Sequence, residues 1–214
     1  MEGTTLKKVT KIIAPFVLMA ILSGCASKVA YSTESADNAT PGIEAVMREI
    51  SNQEFETLAA FDSNGRLLFE TTAYESSSVS VTSDQLQQFW AEDGALMMHN
   101  HPSGSTFSAV DLRAEAMRGT RRAIVVTDRF LYVLEPGKRG WGSPERLFEA
   151  YTAYAEQYAI EAGQNPDLAT LRARVIWAQH QALMATAADF GLNYQQVPMD
   201  EVFCFQGIYI VTAG

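Results

Sequence analysis

Between Ala95 and Asp111 the chain runs from an apolar segment, through two histidines and a proline, into a helix start. That order restricts the local fold more than any other stretch. Ala95-Leu96-Met97-Met98 reads as a buried strand. Alternate side chains of a strand share a face, about 6–7 Å apart, so His99 and His101 present two imidazoles side by side. Pro102 keeps His101 extended and bars continuation of a central strand. Ser103 to Thr106 turn the chain, Ser108 opens a helix, and Asp111 falls in its first turn.

The chain has only three histidines in 214 residues, and two of them lie here. Two imidazoles and a carboxylate, from a strand end and the next helix, can fill three corners of a tetrahedron. The fourth corner is then open to water, as in a catalytic zinc site. Ser108-x-x-Asp111 is also a fair helix cap with an acidic third position, which needs no metal. Capping alone does not explain the two imidazoles beside it. The letters His99-Asn100-His101 do not signify an HNH nuclease, whose named positions are far apart in sequence. The net charge of −9 also lacks the basic balance of a nucleic-acid binder.

The N-terminus is read as a targeting segment. Lys7, Lys8 and Lys11 precede an apolar run from Ile12 to Leu22 that is short for a membrane span. Leu22-Ser23-Gly24-Cys25 then resembles the lipobox of bacterial lipoproteins. That resemblance implies cleavage before Cys25, acylation of its thiol, and residence in the cell envelope facing the periplasm or exterior. Ala26, in place of an Asp that retains lipoproteins inside, leans towards the outer membrane. With Cys25 lipidated, Cys204 has no intramolecular partner. Phe203-Cys204-Phe205 suits a buried thiol.

The expected organisation is a signal peptide over 1–24, a flexible polar tether over 25–41, a core over 42–140, and helices with a final strand over 141–214. Ile43, Val46, Met47 and Ile50 have helical spacing. A strand from Glu54 to Phe61, an Asn64-Gly65 turn and a strand from Leu67 to Thr72 make a hairpin. Thr82 caps a helix with Leu86, Phe89 and Trp90. Arg122–Thr127 and Phe130–Leu134 are two more strands. Ser143-Pro144 starts a long helix to about Ala162, and Asn165-Pro166-Asp167 starts another to about Phe190. His180 lies in that second helix and is read as a half-buried helix residue rather than a ligand. Val202 to Thr212 reads as a closing strand.

The order of elements, with His99-Asn100-His101-Pro102-Ser103-Gly104 and Ser108-x-x-Asp111, resembles the JAMM metalloprotease superfamily in its bacterial RadC-like branch. The likeness spans roughly residues 43 to 135. It implies an α/β (α+β) fold like that of JAMM proteins and cytidine deaminases, a mixed sheet flanked by helices, here with extra C-terminal helices. It implies Zn2+ held by His99, His101 and Asp111, Ser108 supporting the developing oxyanion, and a Glu from the first hairpin strand as general base. Glu54 fits that place best, and Glu56 is its rival on the same strand face. One departure stands out: five residues separate Pro102 from Ser108, where the family usually has six. The implied function is a lipid-anchored zinc peptidase or isopeptidase acting on a peptide or protein substrate. The alternative is an anchored, metal-containing binding module without proteolysis. A nuclease is the weakest idea, since no nucleic-acid partner suits this charge.

Overall fold

Glycines and capping side chains mark where the chain reverses. The computed structural model describes residues 42–72, 79–92 and 94–202, all within the unit Asn38–Gly214. The segments expected to be a signal peptide and a tether, with Cys25 and Cys204, lie outside the described residues.

Helix α1 (Ile43–Ile50) buries Val46, Met47 and Ile50. Strands β1 (Thr57–Asp62) and β2 (Leu67–Thr72) form the expected antiparallel hairpin. Gly65, at φ +80°, takes the left-handed position the turn needs. Helix α2 (Ser83–Ala91) begins at Thr82, whose side chain joins Gln85 in a capping box. Strand β3 (Gly94–Asn100), helix α3 (Ala109–Arg118) and strand β4 (Arg122–Val126) make a β-α-β unit, with β3 and β4 parallel. Strand β5 (Phe130–Glu135) returns antiparallel to β4.

Two long helices follow, α4 (Pro144–Gln164) and α5 (Leu171–Phe190). Ser143 caps α4, with Pro144 at its first position. Helix α5 starts later than expected. Asn165 takes Asp167 N–H on its Oδ1 at 3.0 Å, an Asx turn, and Thr170 is the cap. Strand β6 (Asn193–Pro198) pairs with β5, and α6 (Met199–Val202) closes the described chain. The strand expected over 202–212 thus begins as a helical turn at Val202, and its remainder lies outside the described residues.

The sheet is mixed and open, in the order β2-β1-β3-β4-β5-β6. One face carries Ala59, Phe61, Leu96, Met98, Ile124 and Val126 against α1. The other carries Ala123, Val125, Tyr132 and Leu134 against α3, α4 and α5, with Phe107, Leu112, Leu147, Tyr151 and Leu183 between. The expected α/β (α+β) architecture therefore holds, and the C-terminal helices complete its core. Leu183 is fully buried there. Leu183→Ala is expected to cost about 2–5 kcal/mol in urea denaturation. A cost near zero would show that α5 is not part of the cooperative core. Among the described residues, no helix is long and apolar enough to cross a membrane.

Candidate metal centre

The carboxyl end of β3 and the start of α3 meet at one side of the sheet. Openings at the carboxyl ends of parallel strands are where open α/β sheets place ligands. His99 is the next-to-last residue of β3, directly opposite Leu58 of β1 and beside Val125 of β4. Cross-strand neighbours share a face, so its imidazole projects towards α3. His101, two residues on, projects to the same side, and its N–H is held by the Val126 carbonyl at 2.9 Å.

The two Nε2 atoms are 3.1 Å apart. His99 Nε2 is 3.7 Å from Asp111 Oδ1, and His101 Nε2 is 3.7 Å from Asp111 Oδ2. Two ligands of a tetrahedral zinc are separated by about 3.3 Å, given metal–nitrogen bonds of about 2.0–2.1 Å. The two imidazoles sit close to that spacing, and each faces a different Asp111 oxygen a few tenths of an ångström beyond it. His101 Nε2 also lies 4.0 Å from Glu56 Oε1. Glu56, His99 and His101 form a buried group that could hold a metal ion. Two borderline-soft nitrogens with hard carboxylates suit a first-row divalent cation.

The second ring nitrogen of His101 is fixed. Its Nδ1 faces the carbonyls of Ser105 and Thr106 at 3.2 and 3.1 Å, acceptors that require a proton on Nδ1. The Nε2 lone pair is then free for a metal.

Ser108 and Asp111 do form the capping box. Asp111 Oδ2 accepts from Ser108 N–H at 2.6 Å, and Ser108 Oγ accepts from Asp111 N–H at 3.2 Å. The cap and the metal reading are not rivals. The same box that starts α3 turns the other carboxylate oxygen towards His99.

The carboxylates separate clearly. Glu54, favoured from the sequence, is exposed and outside the cluster, whereas Glu56 is 6 % exposed and inside it. Strand parity puts both on one face, but β1 begins only at Thr57. Asn100 sets that start. Its Oδ1 accepts from Thr57 N–H at 2.7 Å, and its Nδ2 donates to the Phe55 carbonyl at 2.9 Å and the Gln53 carbonyl at 3.4 Å. This clamp bends the chain before Glu56 and takes Glu54 out of the strand. Asn100, which the sequence analysis does not single out, is what positions Glu56; its place between two histidines at a strand end, facing the opposite side from both, is the signal that marks it.

Charge is strongly coupled across the cluster. Burial pushes the Glu56 carboxyl above its usual range, with the His99 charge opposing and Asp111 adding to it. Burial alone would lower His99, but Asp111, with Glu115 and Glu56, reverses this and holds it above the ordinary histidine value. Burial and the neighbouring His99 charge bring His101 down to about 4. Burial would raise Asp111, yet His99 holds its carboxyl well below the usual range. His180 is not part of this cluster. Its Nδ1 meets the Tyr194 hydroxyl at 3.1 Å, as befits a half-buried helix residue.

The fold and the cluster together define the class: an α/β protein with a buried, metal-competent His/carboxylate group at a strand–helix junction. No protein-family model matches the chain, and no curated protein matches it.

Proposed function

We propose that this protein is a zinc-dependent peptidase or isopeptidase of the JAMM type, held at the cell envelope through a lipid on Cys25. The observation that carries the proposal is the convergence of His99, His101 and Asp111 close to ligand spacing with Glu56 alongside. In this reading His99 Nε2, His101 Nε2 and the Asp111 carboxylate hold the zinc. When bound, zinc supplies an acidified water and polarises the scissile carbonyl.

The remaining work falls to the chain. Glu56 takes the proton of the attacking water on a carboxylate oxygen and returns it to the leaving amine. Burial makes this carboxyl a stronger base than an exposed one. The Ser108 hydroxyl oxygen already accepts from Asp111 N–H, so its own proton is available to the developing oxyanion. Such a donor is worth roughly 3 kcal/mol. The parallel β3–α3–β4 unit fixes both ligand-bearing ends in one rigid framework.

The test is metal analysis of the purified full-length chain, followed by cleavage of a peptide library with and without chelator. About one zinc per chain, with cleavage abolished by the chelator, is the expected result. No bound metal after loading would end the enzyme reading. Zinc without cleavage would favour the anchored binding module.

The titration of the site gives a second expected outcome. Without metal, a 3.1 Å contact between two Nε2 atoms is a hydrogen bond only if one ring carries the proton there. Zinc must displace that proton, because only a neutral imidazole ligates. His99 is held above the ordinary histidine value, so apparent zinc affinity falls as pH drops through that raised value. The fall approaches about tenfold per pH unit for one displaced proton. Chelator competition between about pH 8 and about pH 6 reads it. Affinity that rises on acidification would contradict the assignment.

A further inference from the structure

The loop from Pro102 to Phe107 joins the two ligand-bearing elements, and the C-terminal helices reach it directly. The Tyr151 hydroxyl, from α4, donates to the Phe107 carbonyl at 2.8 Å, the nearer of two acceptors, with the Gln179 carbonyl of α5 at 3.3 Å. The Arg172 guanidinium, from α5, donates to the Ser103 carbonyl through Nε at 3.2 Å and Nη2 at 2.8 Å. Inside the loop, Gly104 N–H closes on the His101 carbonyl at 2.9 Å with φ at +77°. A Cβ on Gly104 would stand 3.4 Å from Arg172 Nη2, so the guanidinium lies in van der Waals range of the turn. The Ser105 and Thr106 carbonyls face His101 Nδ1. The loop's carbonyls are thus divided between the histidine they orient and two side chains from outside the β-α-β unit.

We infer that the α4–α5 hairpin is a positioning device for the metal site, with Tyr151 and Arg172 fixing the ligand loop at its two ends. Tyr151 holds the residue just before Ser108, and so the start of α3 that carries Asp111. Arg172 holds the residue two beyond His101, and so the turn whose carbonyls set the His101 ring. A loop one residue shorter than the JAMM pattern has little slack. External tethers then decide whether its two ends face one another. Burial pushes the Tyr151 phenol up, with Asp111 adding to this, which keeps the hydroxyl a donor. This inference rests on the metal reading above, and its test separates the two.

The variants are Tyr151→Phe, Arg172→Ala and the double change, made in the full chain. Tyr154→Phe is the control: Tyr154 is also on α4, but its hydroxyl donates to Asp189 Oδ2, not to the loop. Zinc affinity is measured by chelator competition, and amide exchange of residues 103–108 in metal-free protein. Supporting-shell changes around a metal typically weaken binding about 10–100-fold. The double variant is expected in that range, each single variant part of the way, and the control unchanged. Arg172→Lys should restore part of the loss, since it returns one donor. Affinities within about twofold of the parent would overturn the inference. A parent that binds no zinc removes the metal reading instead. The tethers are then judged on exchange alone: faster exchange in the double variant but not in the control upholds them, and unchanged exchange overturns them.

Discussion

Glu56→Gln is expected to leave zinc bound and to slow hydrolysis about 10²- to 10⁴-fold, the usual contribution of a positioned general base. Glu56 Oε1 stands 4.0 Å from His101 Nε2. That is too far for a direct hydrogen bond, so the carboxylate lies beside the ligand set without being tied to it. The carboxylate is buried and its affinity for protons is raised by that burial. Gln fills the same volume and keeps a hydrogen-bonding end, but cannot accept a proton, so the change isolates proton transfer. Glu54→Gln is the matched control, because Glu54 is exposed and outside the cluster. Its rate should stay near the parent's. Two results would count against the assignment. Full activity in Glu56→Gln would remove the base. Loss of zinc in that variant would make Glu56 a ligand, the role its place in the Glu56–His99–His101 group permits.

The contrast between Glu54 and Glu56 shows where sequence reasoning reached and where it stopped. The histidines were legible because local rules decide them: residue parity on a strand, a proline that stops it, and a helix cap three residues before Asp111. Parity cannot separate two glutamates that differ by two positions. What separates them is where β1 begins, and that is set by the amide of Asn100, more than forty residues away. The same limit applies to β6. Among the described residues Asn193–Pro198 is an edge strand paired to β5, with none of its residues fully buried, so it has no apolar alternation to announce it. The helix start at Asn165 failed for a different reason. Asn and Asp beside Pro serve Asx turns as readily as caps, and here the turn won. The role of α4 and α5 was invisible because a donor to a loop carbonyl leaves no periodic trace in sequence.

Asp111→Asn is expected to lower zinc affinity a hundredfold or more while leaving α3 folded. The two Asp111 oxygens are not equivalent. Oδ2 accepts the Ser108 N–H at 2.6 Å, which starts the helix, and also lies 3.7 Å from His101 Nε2; Oδ1 faces only His99 Nε2, at 3.7 Å. Asn keeps an oxygen for the cap, so the helix start survives. It loses the negative charge that His99 now stabilises and that a cation would use. Zinc sites with four protein ligands bind with roughly 10–16 kcal/mol, so one ligand is worth about 3 kcal/mol, or more than a hundredfold. Ser108→Ala should divide the effects the other way. It removes the acceptor for Asp111 N–H, costing about 1 kcal/mol of stability, with a smaller loss of zinc affinity than Asp111→Asn. Denaturation and chelator competition on the two variants therefore read the cap and the ligand apart. If Asp111→Asn binds zinc like the parent, Asp111 serves the helix alone and the ligand set reduces to His99, His101 and Glu56. The Glu56→Gln variant would then have to lose its metal, so the two experiments check one another.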